Sequence, residues 1–274
     1  MALQGLFDIA GAATDAVDHL MAKADARVHV ASIDPEVFFD FTQERPNVSI
    51  DDDGLRHLTW PQNEAWRLSI ADTDDEVLAL SGIEPHLRWR TFSEAVGEIA
   101  AKSGARLVVT LGAMAGLAPH TRALGVVGSA SDAALAQRLG LGRPSYEGPT
   151  GLVGALHVRL HELGLAVISL RVSVPHYVTQ SPNPEATRSL LARLELVTGI
   201  GTDHHSFDDD AAEWRARVDA AVTDDPQMQR YVAQLEDQVD NAPDLLPDGD
   251  AIAAELQAWL RDNNEPPASG TGSD

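Results

Sequence analysis

RLVVTLGAMAGLAPHTRALGVVGSA, residues 106–130, is the stretch whose reading decides the fold. It opens on a continuous apolar run of strand length, Arg106 to Leu111. A connection rich in Gly and Pro follows, and then a second such run at 124–130. Two further runs share its character, EVLALS at 76–81 and LAVISLRVSV at 165–174. The runs at 76–81 and 106–111 are continuously apolar rather than alternating, which predicts parallel strands covered on both faces. Helix-period segments stand between the runs: 9–24, 91–103 closed by Gly104, 131–139 closed by Gly140, and one that starts at Gly148-Pro149-Thr150-Gly151 and stops at Gly164. Pro in a first helical turn wastes no needed N–H, and Gly suits a helix end. Strands alternating with helices mark an α/β sheet with helices on its faces.

Outward from this centre, Ala2 to Leu6 reads as the end of a strand and Arg27 to Ile33 as another. Short strands are expected near 55–60 and 65–71, the first after the hairpin turn Asp51-Asp52-Asp53-Gly54. Beyond Asn183-Pro184 the strands cease, and helices are expected at about 185–199, 210–222, 227–240 and 249–262. The organisation predicted is an α/β domain over 1–200, an acidic helical appendage over 201–262 and a disordered tail over 263–274. The appendage and tail carry 18 acidic and 4 basic residues, a charge of −14 out of −22 for all 274 residues.

Composition excludes several classes of function. With 42 Asp and Glu against 20 Lys and Arg, the surface repels a polyanion, so nucleic acid is not an expected partner. No window approaches the ~20 apolar residues of a membrane span, and no secretory signal opens the chain, which predicts a cytoplasmic protein without a membrane partner. The absence of Cys removes thiolate nucleophiles, disulfides and Cys-based metal sites. Neither Gly-x-Gly-x-x-Gly after a strand nor a phosphate-binding Gly-x-x-x-x-Gly-Lys loop is present, so no cofactor is expected. His157 and His161 stand at i and i+4 on one helix, but Val158 occupies the place of the Glu that a zinc protease needs. His204-His205 with Asp208 to Asp210 reads as a helix entry whose acids favour the dipole. No metal is expected at either.

One constellation stands above these. Ligands of open α/β sheets sit at the strand C-terminal ends, and polar residues gather in the loops that leave the strands or enter their helices. His120, Arg122, Glu147 and His176 are the candidates for acid/base chemistry, with Arg122 holding an anion. Gly112, Thr121, Tyr146, Gly148, Thr150, Tyr177 and Asn183 would line the same pocket or, alternatively, a subunit contact. No nucleophile stands in a recognised pattern there.

The same residues carry a family resemblance. The run LVVTLGAMAGLAPHTRALGVVGSASDAALAQRLGL (107–141), Tyr146 to Gly154, Ser173-Val174-Pro175-His176-Tyr177 and Pro182-Asn183-Pro184 resemble the proteasome assembly chaperone 2 family, in its actinobacterial branch. Upstream, Asp34 to Phe41, Leu58-Thr59-Trp60-Pro61 and Glu84 to Arg90 fit the same pattern in the same order. The resemblance implies a three-layer α/β/α sandwich like that of nucleoside phosphorylases and peptidyl hydrolases. It also implies a non-enzymatic homo-oligomer, a trimer first, that binds proteasome subunits. The alternative, by analogy of fold, is a hydrolase- or phosphorylase-like enzyme acting on a small molecule. Relatives dock on the core particle through a hydrophobic-Tyr-any tail; this sequence ends Gly272-Ser273-Asp274, which departs from it.

Overall fold

A computed structural model describes residues 1–70, 76–144 and 146–241. The expected helix at 249–262 and tail at 263–274 lie outside the described residues. In chain order the elements are β1 (Ala2–Gln4), α1 (Ala12–Lys23), β2 (Ala26–Ile33), α2 (Pro35–Phe38), β3 (Asn47–Ile50), β4 (Arg56–Thr59), β5 (Asn63–Ser69), β6 (Glu76–Ile83), α3 (Trp89–Lys102), β7 (Leu107–Gly116), β8 (Val126–Ala130), α4 (Ala133–Arg138), α5 (Leu152–Glu162), β9 (Ala166–Pro175), α6 (Pro184–Thr198), α7 (Asp208–Thr223) and α8 (Pro226–Asp240).

One ladder runs β1-β6-β5-β2 and another β7-β9-β8. Strand β1 joins them: the Met1 amino group donates to the Val109 carbonyl (3.0 Å), and the Leu111 N–H donates to the Met1 carbonyl (2.9 Å). The pairings β1 with β6 and β7 with β9 are parallel, as the apolar runs predict, whereas β5, β2 and β8 pair antiparallel with their neighbours. The Met1 amino group is buried at this junction, and desolvation lowers its pKa to about 5. Beside it a cavity of about 540 Å³ separates the N-terminal halves of β6 and β7, lined by Leu78, Ala79, Val108, Leu20, Val96 and Leu194 among others.

Helices cover both faces, giving the three layers. On one face α1 presents Ala12, Ala13, Ala16 and Val17 to β1, β6 and β7, and α6 beside it presents Leu190 and Leu191 to β9. Alanines at the contact let α1 approach the sheet closely. On the other face α3 and α5 present Phe92, Val96 and Ala100, and Leu152, Leu156 and Leu160, one residue every four positions. That spacing puts a single apolar stripe on each helix. The Asn183 side chain caps α6, accepting from the Ala186 N–H at 3.0 Å, with Pro184 in the first turn.

Three expectations need correction. Strand β7 continues to Gly116, so Gly112 and Met114 lie within it rather than in a loop, because β9 pairs with it residue for residue up to Gly116↔Pro175. Helix α5 begins at Leu152, so Gly148 to Gly151 form an irregular lead-in and Pro149 is not in its first turn. The turn Asp51 to Gly54 does form a hairpin, but between β4 and the unforeseen β3, a two-stranded ribbon apart from the main sheet. All its residues are exposed.

Candidate functional site

Strands β7 and β9 are parallel, so the loops after Gly116 and Pro175 leave the same edge of the sheet. Their junction is tied by the His176 N–H, which donates to the Gly116 carbonyl at 3.2 Å. Together these loops bring His120, Thr121, Arg122, His176 and Tyr177 into one cluster, and α7 and α8 close over it.

His120 is the centre and is fully buried. Its backbone N–H donates to the Tyr177 hydroxyl (3.0 Å), and the same hydroxyl is hydrogen-bonded to His120 Nδ1 (2.7 Å). Nε2–H then donates to the Asp219 carboxylate of α7 at 2.9 Å. Burial pushes the Tyr177 hydroxyl pKa up, which keeps it a donor. The Tyr177 ring packs edge-on against His120, His176 and Tyr231 of α8, with centroids 5.7, 5.4 and 6.4 Å away. His176 Nδ1 donates to the Gly116 carbonyl (3.2 Å), and the Tyr231 hydroxyl meets Nε2 at 3.3 Å.

The second half of the cluster is ionic. Arg122 binds Asp240 through two parallel hydrogen bonds, Nε to Oδ1 at 2.9 Å and Nη2 to Oδ2 at 2.8 Å, and reaches Glu236 Oε1 at 3.2 Å. Thr121 donates to the same Glu236 oxygen at 2.5 Å. Glu236 and Asp240 stand at i and i+4 on α8 and so share a face. The hydrogen bonds and charge of Arg122 hold the Asp240 carboxyl below the usual carboxylate range. The apolar side of this docking is thin: α8 buries only Val232 and Leu235, about 1.5–3 kcal/mol each. Helix α7 is held more firmly through Ala211, Trp214 and Val218.

The remaining candidates stand apart from this network. Tyr146, Glu147, Gly148 and Thr150 lie on an exposed lead-in to α5, where the Tyr146 hydroxyl donates to the Pro149 carbonyl at 3.0 Å. Gly112 backs onto Phe7 and the Arg171 stem, and Asn183 serves as the cap of α6. His157 is held against the Thr110 hydroxyl at 2.8 Å; burial first, then Arg171, lowers its pKa to about 4. His161 is exposed, and His204 and His205 contact Glu195 and Asp208. Among the described residues no group of three His, Asp or Glu is placed to hold a metal ion, and no helix is long and apolar enough to cross a membrane. Sequence reasoning missed Asp219, Tyr231, Glu236 and Asp240. The i, i+4 carboxylates of α8 were the one signal of them in the sequence.

Chemically, the cluster is a clamp. Both ring nitrogens of the buried His120 are engaged, by Tyr177 and Asp219, and Arg122 holds two carboxylates.

Comparison with known proteins adds the family. The family model described as PAC2 family matches residues 2–222. A PAC2 family protein from Streptomyces avermitilis is 37% identical, with a TM-score of 0.77 over 84% of this chain and 97% of that one. A proteasome-assembly chaperone homologue from Mycobacterium tuberculosis is 34% identical, with a TM-score of 0.77 over 84% of this chain and 98% of that one. An archaeal homologue of proteasome-assembly chaperone from Pyrococcus furiosus, 15% identical, shares the fold at a TM-score of 0.56 over 87% of this chain and 94% of that one. No curated protein matches the sequence. With the family model covering most of the sequence and bacterial relatives above 30% identity over nearly their full length, the chain belongs to the PAC2 family.

Proposed function

We propose that the protein is a cytoplasmic, non-enzymatic homo-oligomer that binds proteasome subunits as an assembly factor, with the acidic appendage, which begins at residue 201, as its contact surface. The observation that supports this reading is the clamp itself. The polar residues gathered at the strand C-terminal edge, where an enzyme of this architecture keeps its substrate, are engaged by α7 and α8. What the molecule then offers to the outside is the solvent face of those helices, with Asp209, Asp210, Glu213, Asp224 and Asp237 exposed.

Self-association, a trimer first, is assigned to the β3–β4 ribbon. Val48 pairs with Leu58, and Ile50 shares their face; all three are exposed. The two strands contain no acidic residue, and the acids of the ribbon, Asp51, Asp52 and Asp53, are confined to its turn.

The test is native purification from the host, identification of co-purifying proteins by mass spectrometry, and mass by light scattering. Proteasome subunits at near-stoichiometric amounts are expected, on a complex that dissociates with rising salt because exposed charges are screened over ~10 Å at 0.1 M. A bare homo-oligomer, or one carrying only a small molecule, overturns the reading.

A further inference from the structure

We propose that the groove under α8 is a receptor for acidic helices, and that α8 is a built-in occupant which a partner's helix displaces. The groove is made by the loop carrying His120, Thr121 and Arg122 together with His176, Tyr177 and the adjoining α7. It reads five positions of α8: Tyr231 packs edge-on against His176 and Tyr177 with its hydroxyl at His176 Nε2, Val232 and Leu235 are buried, Glu236 accepts from Thr121 and Arg122, and Asp240 takes the two-pronged bond from Arg122. The recognised pattern is therefore Tyr, apolar, apolar, acid, acid at i, i+1, i+4, i+5 and i+9, a helix-in-groove code with a cation at one end. A partner helix with that pattern supplies these contacts in place of α8.

Three observations favour exchange over a permanent fixture. Most side chains of α8 are exposed, including Val239 and Asp240, while its two buried ones are apolar residues of moderate size. Its bonds through Asp240 and Tyr231 lie at the surface, where water and salt replace them readily, and those through Glu236 are only partly buried. It is joined to α7 by only Asp224 and Asp225, and Asp225 caps α8 with its own side chain, accepting from the Gln227 and Met228 N–H groups. The helix end is thus satisfied whether or not α8 is docked. Elements held in this way open at low free energy. The receptor half stays built when α8 leaves, because His120 remains bonded to Tyr177 and to Asp219 of α7. This inference concerns a binding groove, and it holds or fails independently of whether the partner is a proteasome subunit.

The probe is a fluorescent synthetic peptide with the sequence of residues 226–241, titrated into the full chain. In the unaltered protein the tethered α8 competes at an effective concentration of about 1 mM, so the peptide binds weakly. The double variant Glu236→Gln with Asp240→Asn releases α8 while leaving the groove intact. It is expected to bind the peptide at least about tenfold more tightly, the effect of losing charge-assisted bonds on one competitor only. Adding Arg122→Ala should remove that gain, as should the same two substitutions placed in the peptide. Amide exchange of α8 in the double variant checks that the helix is released. Equal binding by the unaltered and double-variant proteins overturns the proposal, as does tight binding that survives Arg122→Ala. Release of α8 without any peptide binding overturns it too.

Discussion

Tyr177→Phe removes one oxygen and tests whether the cluster at the sheet edge holds the architecture together. The Tyr177 hydroxyl accepts from the His120 backbone N–H and is also hydrogen-bonded to His120 Nδ1, and His120 has no solvent-exposed surface. Its loss leaves two buried groups without partners, at about 1–3 kcal/mol for each orphaned group. Partial repair by an entering water brings the expected total to about 2–4 kcal/mol, which at this chain length lowers Tm by about 5–10 °C. The hydroxyl-free ring keeps its packing on His176 and Tyr231, so the loss reads the hydrogen bonds rather than a cavity. Urea unfolding followed by circular dichroism measures it, with calorimetry as an independent probe. The cycle is completed with His120→Leu: Asp219 is partly exposed and finds water, so adding His120→Leu to the Tyr177→Phe background should restore part of the loss. Replacing both partners is cheaper than orphaning one. A single-variant loss below about 0.5 kcal/mol, or additive single and double losses, would refute the clamp.

Other expectations follow from the same geometry. His157 is kept near pKa 4 in the folded chain against about 6.5 when unfolded. The unfolded state therefore binds more protons between those values, and stability is present above pH 6.5 and lost as pH falls toward 4. The integrated effect is about 3 kcal/mol, and His157→Gln should flatten that part of the stability profile measured by urea titration at stepped pH. Gly82→Ala places a Cβ against the Gln62 carbonyl and the Asn63 side chain, so β5 and β6 must separate. About 3 kcal/mol or more of stability should go, and an unchanged denaturation midpoint would show that the strands yield freely. Arg122→Ala should speed amide exchange across residues 232–240 while leaving α7 as protected as before. In the unaltered protein, exchange of α8 should quicken between 0.05 and 0.5 M salt, roughly the range over which screening tightens from more than 10 Å to a few ångströms.

Much of the sandwich was legible because its strands announce themselves. EVLALS and RLVVTL are runs of strand length rich in apolar residues, and Gly104, Gly140 and Gly164 end helices where only Gly sits comfortably with positive φ. The far end of β7 was hidden by Gly112, Gly116 and Pro119, which read as a loop. Parallel pairing with β9 holds that segment extended regardless of its composition. The ribbon strand β3 was hidden for a different reason, since Asn47 to Ile50 is four residues with no pattern long enough to detect. At the site, strand polarity alone brought His120, Arg122, His176 and Tyr177 together. Their partners were not legible because Arg122 and Asp240 are 118 residues apart in sequence, and His120 and Asp219 are 99. Acidic residues on a solvated helix look alike until a fold selects which of them faces inward.

The β3–β4 ribbon has a consequence for how the protein must be handled. A two-stranded ribbon with both faces in water is only marginally stable by itself, so its order depends on what covers it. If copies meet through Val48, Ile50 and Leu58, its folding is governed by mass action. Dilution should fray the ribbon while the sandwich stays intact. The protein would then show two melting transitions, the earlier one moving upward with concentration and the later one staying fixed.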